Sequence, residues 1–337
     1  MKIAVVILNF NGRNFLQQFL PQVIQHSALA TVFVVDNGST DDSLQLLRTE
    51  FPGVQLLSFP TNLGFCAGYN EALRQIVAEY YVLLNSDVEV TPGWLEPLIQ
   101  QLDSNPTIAA AQPKILSFHQ RTYFEYAGAA GGYLDWLGYP FCRGRIFDTL
   151  EADEGQYNNA QPVFWATGAC LFIRAKTFHE MGGLDADFFA HMEEIDLCWR
   201  LRRKGYLVYA VPASIVYHVG GGTLGVQNPQ KTFLNFRNGL SLLVKNLHLR
   251  SLFVVIPTRT VLDVIALVRF ALTGRVNHAV AISRAYLHFL GRLPREFRKR
   301  QQSEWLPFLN PDPLLLPKSL VIEYFLKARK TYRQLIN

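Results

Sequence analysis

Residues able to bind or transform a ligand recur at matching places in this sequence. Short apolar runs give way to Asn9-Phe10-Asn11-Gly12, to Asp36-Asn37-Gly38-Ser39-Thr40-Asp41, to Pro60-Thr61-Asn62-Leu63-Gly64 and to Asn85-Ser86-Asp87. Each cluster alone is ordinary turn chemistry. Four together, all offering Asn or Asp, describe a pocket for a polar ligand rich in hydrogen-bonding groups. Further on, Glu193-Glu194-Ile195-Asp196 concentrates acids, and His218 stands just before Gly220-Gly221-Gly222.

Such residues need elements that aim them at one place. Ile3–Leu8, Thr31–Val35, Val54–Ser58 and Tyr80–Leu84 are short and rich in Val, Ile, Leu and aromatics, and read as buried strands. Asn14–His26, Asp41–Glu50 and Ala67–Glu79 read as the helices between them, the second opened by a capping box of Ser39 and Asp42. Strand and helix alternating at this spacing predict an α/β fold with a mostly parallel, Rossmann-like sheet flanked by helices. Ligands bind such sheets beyond the carboxyl ends of the strands, where the four polar clusters lie. Later, Val163–Arg174 reads as a strand interrupted at Gly168, and Lys176–Met181 as a short helix. Phe188 to Lys204 reads as a longer helix, acidic at its start, basic at its end and closed by Gly205. A last strand, Leu207–Val211, leads through Ile215-Val216-Tyr217 to His218.

A chain of 337 residues has room for one large domain and a smaller one. With 49% apolar and 18% charged residues it is globular rather than disordered. Cys66, Cys142, Cys170 and Cys198 form no CxxC pair and no zinc spacing, and read as reduced structural thiols of a cytosolic protein. The apolar run at residues 3–8 is too short for the core of a secretion signal. The net charge of +5 conceals a division: residues 1–225 carry 14 Lys and Arg against 22 Asp and Glu, and residues 226–337 carry 18 against 5. A boundary near residue 225 follows, with a second part suited to an anionic surface.

Taken in order, VVILNFNG, VVDNGSTD, TNLGFCAGYN, LLNSDVEVTPGWL, TGACLFIR and MEEIDLCWRLRRKGY resemble the family 2 glycosyltransferases of GT-A fold. Within that family the sequence is most similar to the bacterial branch that includes rhamnosyltransferases of cell-surface polysaccharide assembly. The resemblance spans residues 3–224. It implies an inverting enzyme that moves a sugar from dTDP-rhamnose, or another UDP- or dTDP-sugar, to a hydroxyl of a glycan or lipid-linked glycan. It also implies Mg2+ or Mn2+, a Lewis acid for the departing diphosphate. Residues 1–225 are then the nucleotide-sugar-binding catalytic domain.

On that footing Asp36 is the expected acceptor for a base N–H, with Asn9, Asn11, Asn37 and Asn62 around base and ribose. Gly64 and Gly68 allow close backbone approach. The family's Asp-x-Asp motif is here Asn85-Ser86-Asp87. Asp87 becomes the principal metal ligand, leaving Asn85 and Ser86 to ribose or phosphate. His218 alone reads as structural, but its place matches a second metal ligand in some relatives. The family's general base corresponds to Glu194. Glu193 and Asp196 are expected to hold the helix start and the sugar or acceptor hydroxyls. Trp165, Thr167 and Gly168 are expected to line the sugar or acceptor site, with the Trp face against a pyranose ring. Gly220–Thr223 reads equally as a lid over the diphosphate or as a hinge.

Residues 226–337 carry none of these motifs. Phe233–Leu247 and Leu252–Leu272 read as helices. Pro257, Arg259, Asp263 and Arg269 interrupt the second, which argues against a membrane span and for a helix lying in the interfacial plane. Arg292–Arg300 adds a polybasic patch for anionic lipids. Peripheral attachment to the inner face of the cell membrane is the expectation, with a helical cap or a homodimer as the alternative. Nucleic acid is not expected, since no binding motif accompanies the charge. A dehydrogenase is excluded, because GxGxxG does not follow the first strand. A sugar nucleotidyltransferase would need a Gly-rich, basic loop near its start. A non-catalytic, membrane-attached sugar-binding protein of the same fold is the remaining alternative, and Asp87 and Glu194 argue against it.

Overall fold

Both faces of the first strand are apolar and both are buried: Ile3, Val5 and Ile7 pack into one layer, Ala4 and Val6 into the other. Strand β1 (Ile3–Asn9) therefore lies inside a sheet covered on both sides. The structure, a computed structural model, describes residues 1–220, 228–301 and 312–336. After β1 come α1 (Arg13–His26), β2 (Thr31–Asn37), α2 (Ser43–Glu50), β3 (Gln55–Phe59), α3 (Phe65–Gln75) and β4 (Tyr80–Asn85). β3, β2, β1 and β4 are parallel neighbours, with Asn9 opposite Asp36 and Asp36 opposite Ser58. Their carboxyl ends finish level, which gathers the polar clusters. α1 and α2 cover one face through Leu16, Leu20, Leu46 and Leu47; α3 covers the other through Tyr69, Ala72 and Leu73. α2 starts at Ser43 without a capping box: Asp41 instead accepts the N–H groups of Arg13 and Ser43, both at 3.1 Å.

The rest of the sheet is mixed. β5 (Val88–Val90), α4 (Glu96–Ser104) and β6 (Ile108–Ser117) precede a small second sheet of β7 (Gly132–Asp135), β8 (Pro140–Cys142), β9 (Arg145–Ile146) and β10 (Thr149–Leu150). Then follow β11 (Gln161–Val163), β12 (Cys170–Arg174), α5 (Ala175–Glu180), α6 (Glu193–Arg203) and β13 (Leu207–His218). The main sheet runs β11-β13-β6-β12-β4-β1-β2-β3, with β5 paired to β13. β12 is antiparallel to both β4 and β6. The single strand expected at Val163–Arg174 is thus two, set apart in the sheet, with a turn at Gly168-Ala169 before the second. The helix expected from Phe188 begins only at Glu193, because Phe189, His191 and Met192 have positive φ.

Helices α7 (Pro229–Asn246), α8 (Leu249–Leu272) and α9 (Val276–Gln301) form the basic part. β14 (Leu315–Leu316) joins the small sheet beside β7, and α10 (Tyr332–Ile336) follows. The expected boundary near residue 225 falls outside the described residues. Charge helps to explain how the two parts meet. Arg292, Arg295 and Lys299 of α9 reach the Asp187 carboxylate at 2.8, 2.7 and 2.6 Å, and Lys245 and Lys299 reach Asp185 at 2.6 Å. Arg300 is buried and donates to the Val244 and Leu247 carbonyls. Much of the polybasic run thus clamps the two parts together, while Arg295 and Arg298 stay exposed. All four cysteines are free and buried.

Candidate functional site

Below the strand ends, side chains tie one loop to the next. Asn9 is fully buried, and its amide donates to Asp36 Oδ1 at 3.1 Å and Ser39 Oγ at 3.2 Å. Asp36 is also fully buried, and its Oδ2 accepts the Ser39 N–H at 3.0 Å. Each Asp36 oxygen accepts one bond within the loops, so the buried carboxylate braces them. Asn37 accepts the Leu63 N–H and donates to Asn62 and the Gly64 carbonyl, joining the ends of β2 and β3. The Asn11 side-chain carbonyl accepts the Thr40 N–H at 2.7 Å, while the residue itself is exposed. The surface left to a ligand comprises exposed Asn11 and Asn62 and half-buried Asn85 and Ser86. Gly64 has φ of +81°, and a Cβ there would meet the Phe189 ring at 2.6 Å, so only glycine suits it.

Asp87 follows β4 by two residues and meets His218 because β5 lies antiparallel to β13, with Val88 opposite His218. His218 Nε2 is 3.2 Å from Asp87 Oδ1, yet this buried nitrogen has no hydrogen-bond partner. Its Nδ1 lies 3.0 Å from Glu125 Oε2. Burial would lower the imidazole pKa, but Asp87 and Glu125 outweigh it and raise the pKa to about 10. Burial likewise opposes ionisation of Asp87, and His218 holds it below its usual range. A carboxylate and a ring nitrogen converge at ion-pair distance, with a second carboxylate behind the ring, and a divalent cation that displaced the Nε2 proton would find a matching donor set here. Among the described residues no three His, Cys, Asp or Glu side chains converge on one point, so the protein supplies two ligands at most from this pair.

The acids open α6. Glu193 is buried with one oxygen unpartnered, and burial, then the neighbouring Glu194, raises its pKa well above the usual value. Glu194 is raised to about 6 by burial, moderated by the N–H groups at the start of α6 and by that of Gly168. Burial thus disfavours the charged form of both carboxyls. Gly168 stands 3.8 Å from the Glu194 Cβ, measured from a Cβ built on it. The next residue, Ala169, accepts the Asn85 N–H at 3.0 Å. The Thr167–Ala169 turn therefore links the Glu194 side to the Asp87 side. Thr167 itself is buried, with its N–H on Gln112 and its hydroxyl accepting from Ala169.

Two expected site residues are elsewhere employed. Trp165 is buried against Gly132, and its indole N–H donates to the Tyr133 carbonyl at 2.9 Å; it pins the small sheet to the main one and offers no face to a sugar. Asp196 is fully buried between Arg200, Lys245 and Asn246 at 2.8, 2.8 and 2.9 Å, out of reach of any hydroxyl. Glu125, Phe189 and His191 escaped the sequence reading. His191 is kept neutral by burial and by Lys231, with its pKa lowered to about 4. Gly220 is described, but Gly221-Gly222-Thr223 lie outside the described residues.

Residues 4–160 match the model of glycosyl transferase family 2. The N-acetylglucosaminyl-diphospho-decaprenol L-rhamnosyltransferase of Mycobacterium tuberculosis is 28% identical over 232 residues, 64% of this chain and 75% of its own length. A low-salt glycan biosynthesis hexosyltransferase of Haloferax volcanii is 22% identical over 241 residues, 70% of this chain and 73% of its own. In fold the chain is similar to GalNAc-T7, solved with UDP, GalNAc and Mn2+: TM-score 0.57, 17% identity, 73% of this chain and 48% of that one. A mannosyltransferase of Pyrobaculum calidifontis, solved with GDP-Man and Mn2+, gives 0.51 at 13% identity over 90% of this chain and 88% of its own. With the order of its motifs and the architecture of its sheet, the chain carries a glycosyl transferase family 2 domain at residues 4–160 and has the GT-A fold of the glycosyltransferases it is similar to.

Proposed function

We propose that the protein inverts the anomeric centre of a sugar as it moves it from a nucleoside diphosphate to a hydroxyl of a glycan or lipid-linked glycan, in cell-surface polysaccharide assembly. Glu194 carries the reading: a carboxyl held near pH 6 beside an exposed strand-end surface suits a general base at neutral pH. Glu194 takes the acceptor proton as the acceptor oxygen bonds to the anomeric carbon, and the bond from that carbon to the diphosphate oxygen breaks. Asp87 and His218 would hold Mg2+ or Mn2+, which offsets the charge of the leaving diphosphate. Asn11, Asn62, Asn85 and Ser86 contact base, ribose or phosphate. The mycobacterial relative, by its L-rhamnosyl group and diphospho-decaprenol-linked acceptor, supports a rhamnosyl donor, of which dTDP-rhamnose is our choice among UDP- and dTDP-sugars, and a lipid-linked acceptor.

The membrane side of the proposal rests on α8, the one helix among the described residues long and apolar enough to cross a membrane. Arg259 and Asp263 pair at 3.0 Å on its buried side, against Tyr139 and the Leu137 carbonyl. Two of the charges that argued against a span thus face the protein, while Arg269 stays exposed beside the Phe325 ring. Phe253, Val254, Val261, Val264, Ile265 and Val268 form an exposed, uncharged face. One face packed and one apolar suits a helix lying on the inner leaflet. A panel of nucleotide sugars with and without Mg2+ or Mn2+ tests the donor. Binding at 100 times Kd stabilises the fold by about 2.7 kcal/mol, read as a rise in Tm. No sugar nucleotide raising Tm with either metal would overturn the reading.

A further inference from the structure

The residues before α6 adopt a conformation their own side chains disfavour. Phe189, His191 and Met192 have φ of 66°, 68° and 72°, and none is Gly or Asn. The carbonyls of this turn find their donors on α7. Nδ2 of buried Asn238 lies 3.1 Å from the Phe188 carbonyl, 2.9 Å from that of Ala190 and 2.7 Å from that of His191. Arg237 donates to the carbonyls of Asp187 at 3.1 Å and Phe188 at 2.8 Å. Its Nε also donates to Asn238 Oδ1 at 2.8 Å, which fixes the amide so that its NH2 faces the turn. The Phe189 carbonyl points the other way and accepts the N–H groups of Phe65 at 3.1 Å and Cys66 at 3.4 Å, in the first turn of α3.

We propose that Asn238, with Arg237 behind it, is a positioning residue that holds the 187–192 turn in its left-handed form, aiming Glu194 at the acceptor hydroxyl and seating Phe189 against Gly64. The role rests on the reading of Glu194 as general base. It makes the basic part of the chain a component of the catalytic site. A carboxylate at position 238 has the right size but presents only acceptors to three carbonyls, so size alone cannot substitute.

The test compares Asn238→Ala and Asn238→Asp with Glu194→Gln in the full chain. Displacement of a reacting group by about 1 Å costs roughly 10²-fold, so both Asn238 variants should lose about 10–100-fold in kcat with donor KM nearly unchanged. Amide exchange at Phe65, Cys66 and residues 187–192 should quicken while the core strands stay protected. Unchanged exchange in the turn, or kcat loss explained by loss of folded protein across the core, would overturn the proposal. Exchange does not depend on the chemistry. Parental turnover in Glu194→Gln with a loosened turn in the Asn238 variants would remove the base and leave the positioning role standing.

Discussion

The donor side and the acid side of this site are built from different materials. On the donor side, Asn9, Asp36, Ser39, Asn37 and Asn62 bond to one another at the ends of adjacent parallel strands. Every partner there lies within the first 65 residues, and the sheet itself brings them level. On the acid side, the turn before Glu193 is held by Arg237 and Asn238, and the ion pairs beneath it come from Lys245, Arg292, Arg295 and Lys299. The backbone there is strained at three residues, at a cost of about 1–3 kcal/mol each. A rigid frame needs no outside support, whereas a strained turn must be over-determined by its neighbours. The family match stops at residue 160, before the acid side begins.

Removing the proposed metal ligand breaks the donor side most completely. Asp87→Ala should abolish metal-dependent donor binding, measured by titrating nucleotide sugar with and without Mn2+; parental binding would show the ligand to be another residue. Next comes the acid side. Glu194→Gln should leave donor binding nearly intact and lower kcat by roughly 10²–10⁴-fold. In the parent, kcat should fall as pH drops below about 6, because the base must be ionised and Glu194 is raised to about 6. Glu193→Gln should cost less turnover. Its sign on stability is opposite: a carboxyl whose pKa is raised on folding favours the fold below its unfolded pKa and loses that contribution as pH rises through the folded one. A neutral amide there should therefore raise Tm at pH 8. A larger kcat loss for Glu193→Gln than for Glu194→Gln would make Glu193 the base.

Legibility in the sequence followed the same division. The four parallel strands were readable because each is an apolar run ended by polar residues, a local pattern. Asp87 and His218 were named by resemblance and do meet in the structure, but Glu125 was not named: it sits 93 residues before His218, in a stretch with no motif, and the β6–β13 pairing brings it behind the ring. Trp165 and Asp196 misled because their types suit a sugar site, whereas packing on Gly132 and pairing with Lys245 are contacts between distant segments. Glu125→Gln sharpens the comparison at moderate size. Loss of an outer partner of a ligating histidine costs about 10–100-fold in metal affinity, so the metal titration should shift by that factor while kcat at saturating metal recovers. An unshifted titration would return His218 to a structural role.

The smallest effect expected tests the surface of the basic part rather than its inner face. Arg295 and Ile265 have different assignments: Arg295, though exposed, pairs with Asp187 at 2.7 Å, and Ile265 lies on the exposed face of α8. Ile265→Ser removes apolar area worth about 1–2 kcal/mol at an interface, so sedimentation with anionic vesicles at low salt should weaken about tenfold. Turnover on a soluble acceptor analogue should not change, because no contact joins Ile265 to the site. Arg295→Ser should do little to vesicle binding, since the lost charge already faces a carboxylate. If the two variants exchanged effects, the polybasic patch would be the lipid contact after all. Absence of vesicle binding in the parent would leave the exposed face to a second copy of the chain, read as a concentration-dependent dimer that Ile265→Ser weakens. Retention that resists both salt and carbonate would mean instead that α8 crosses the bilayer, with Arg259 and Asp263 kept as a neutralised pair inside it.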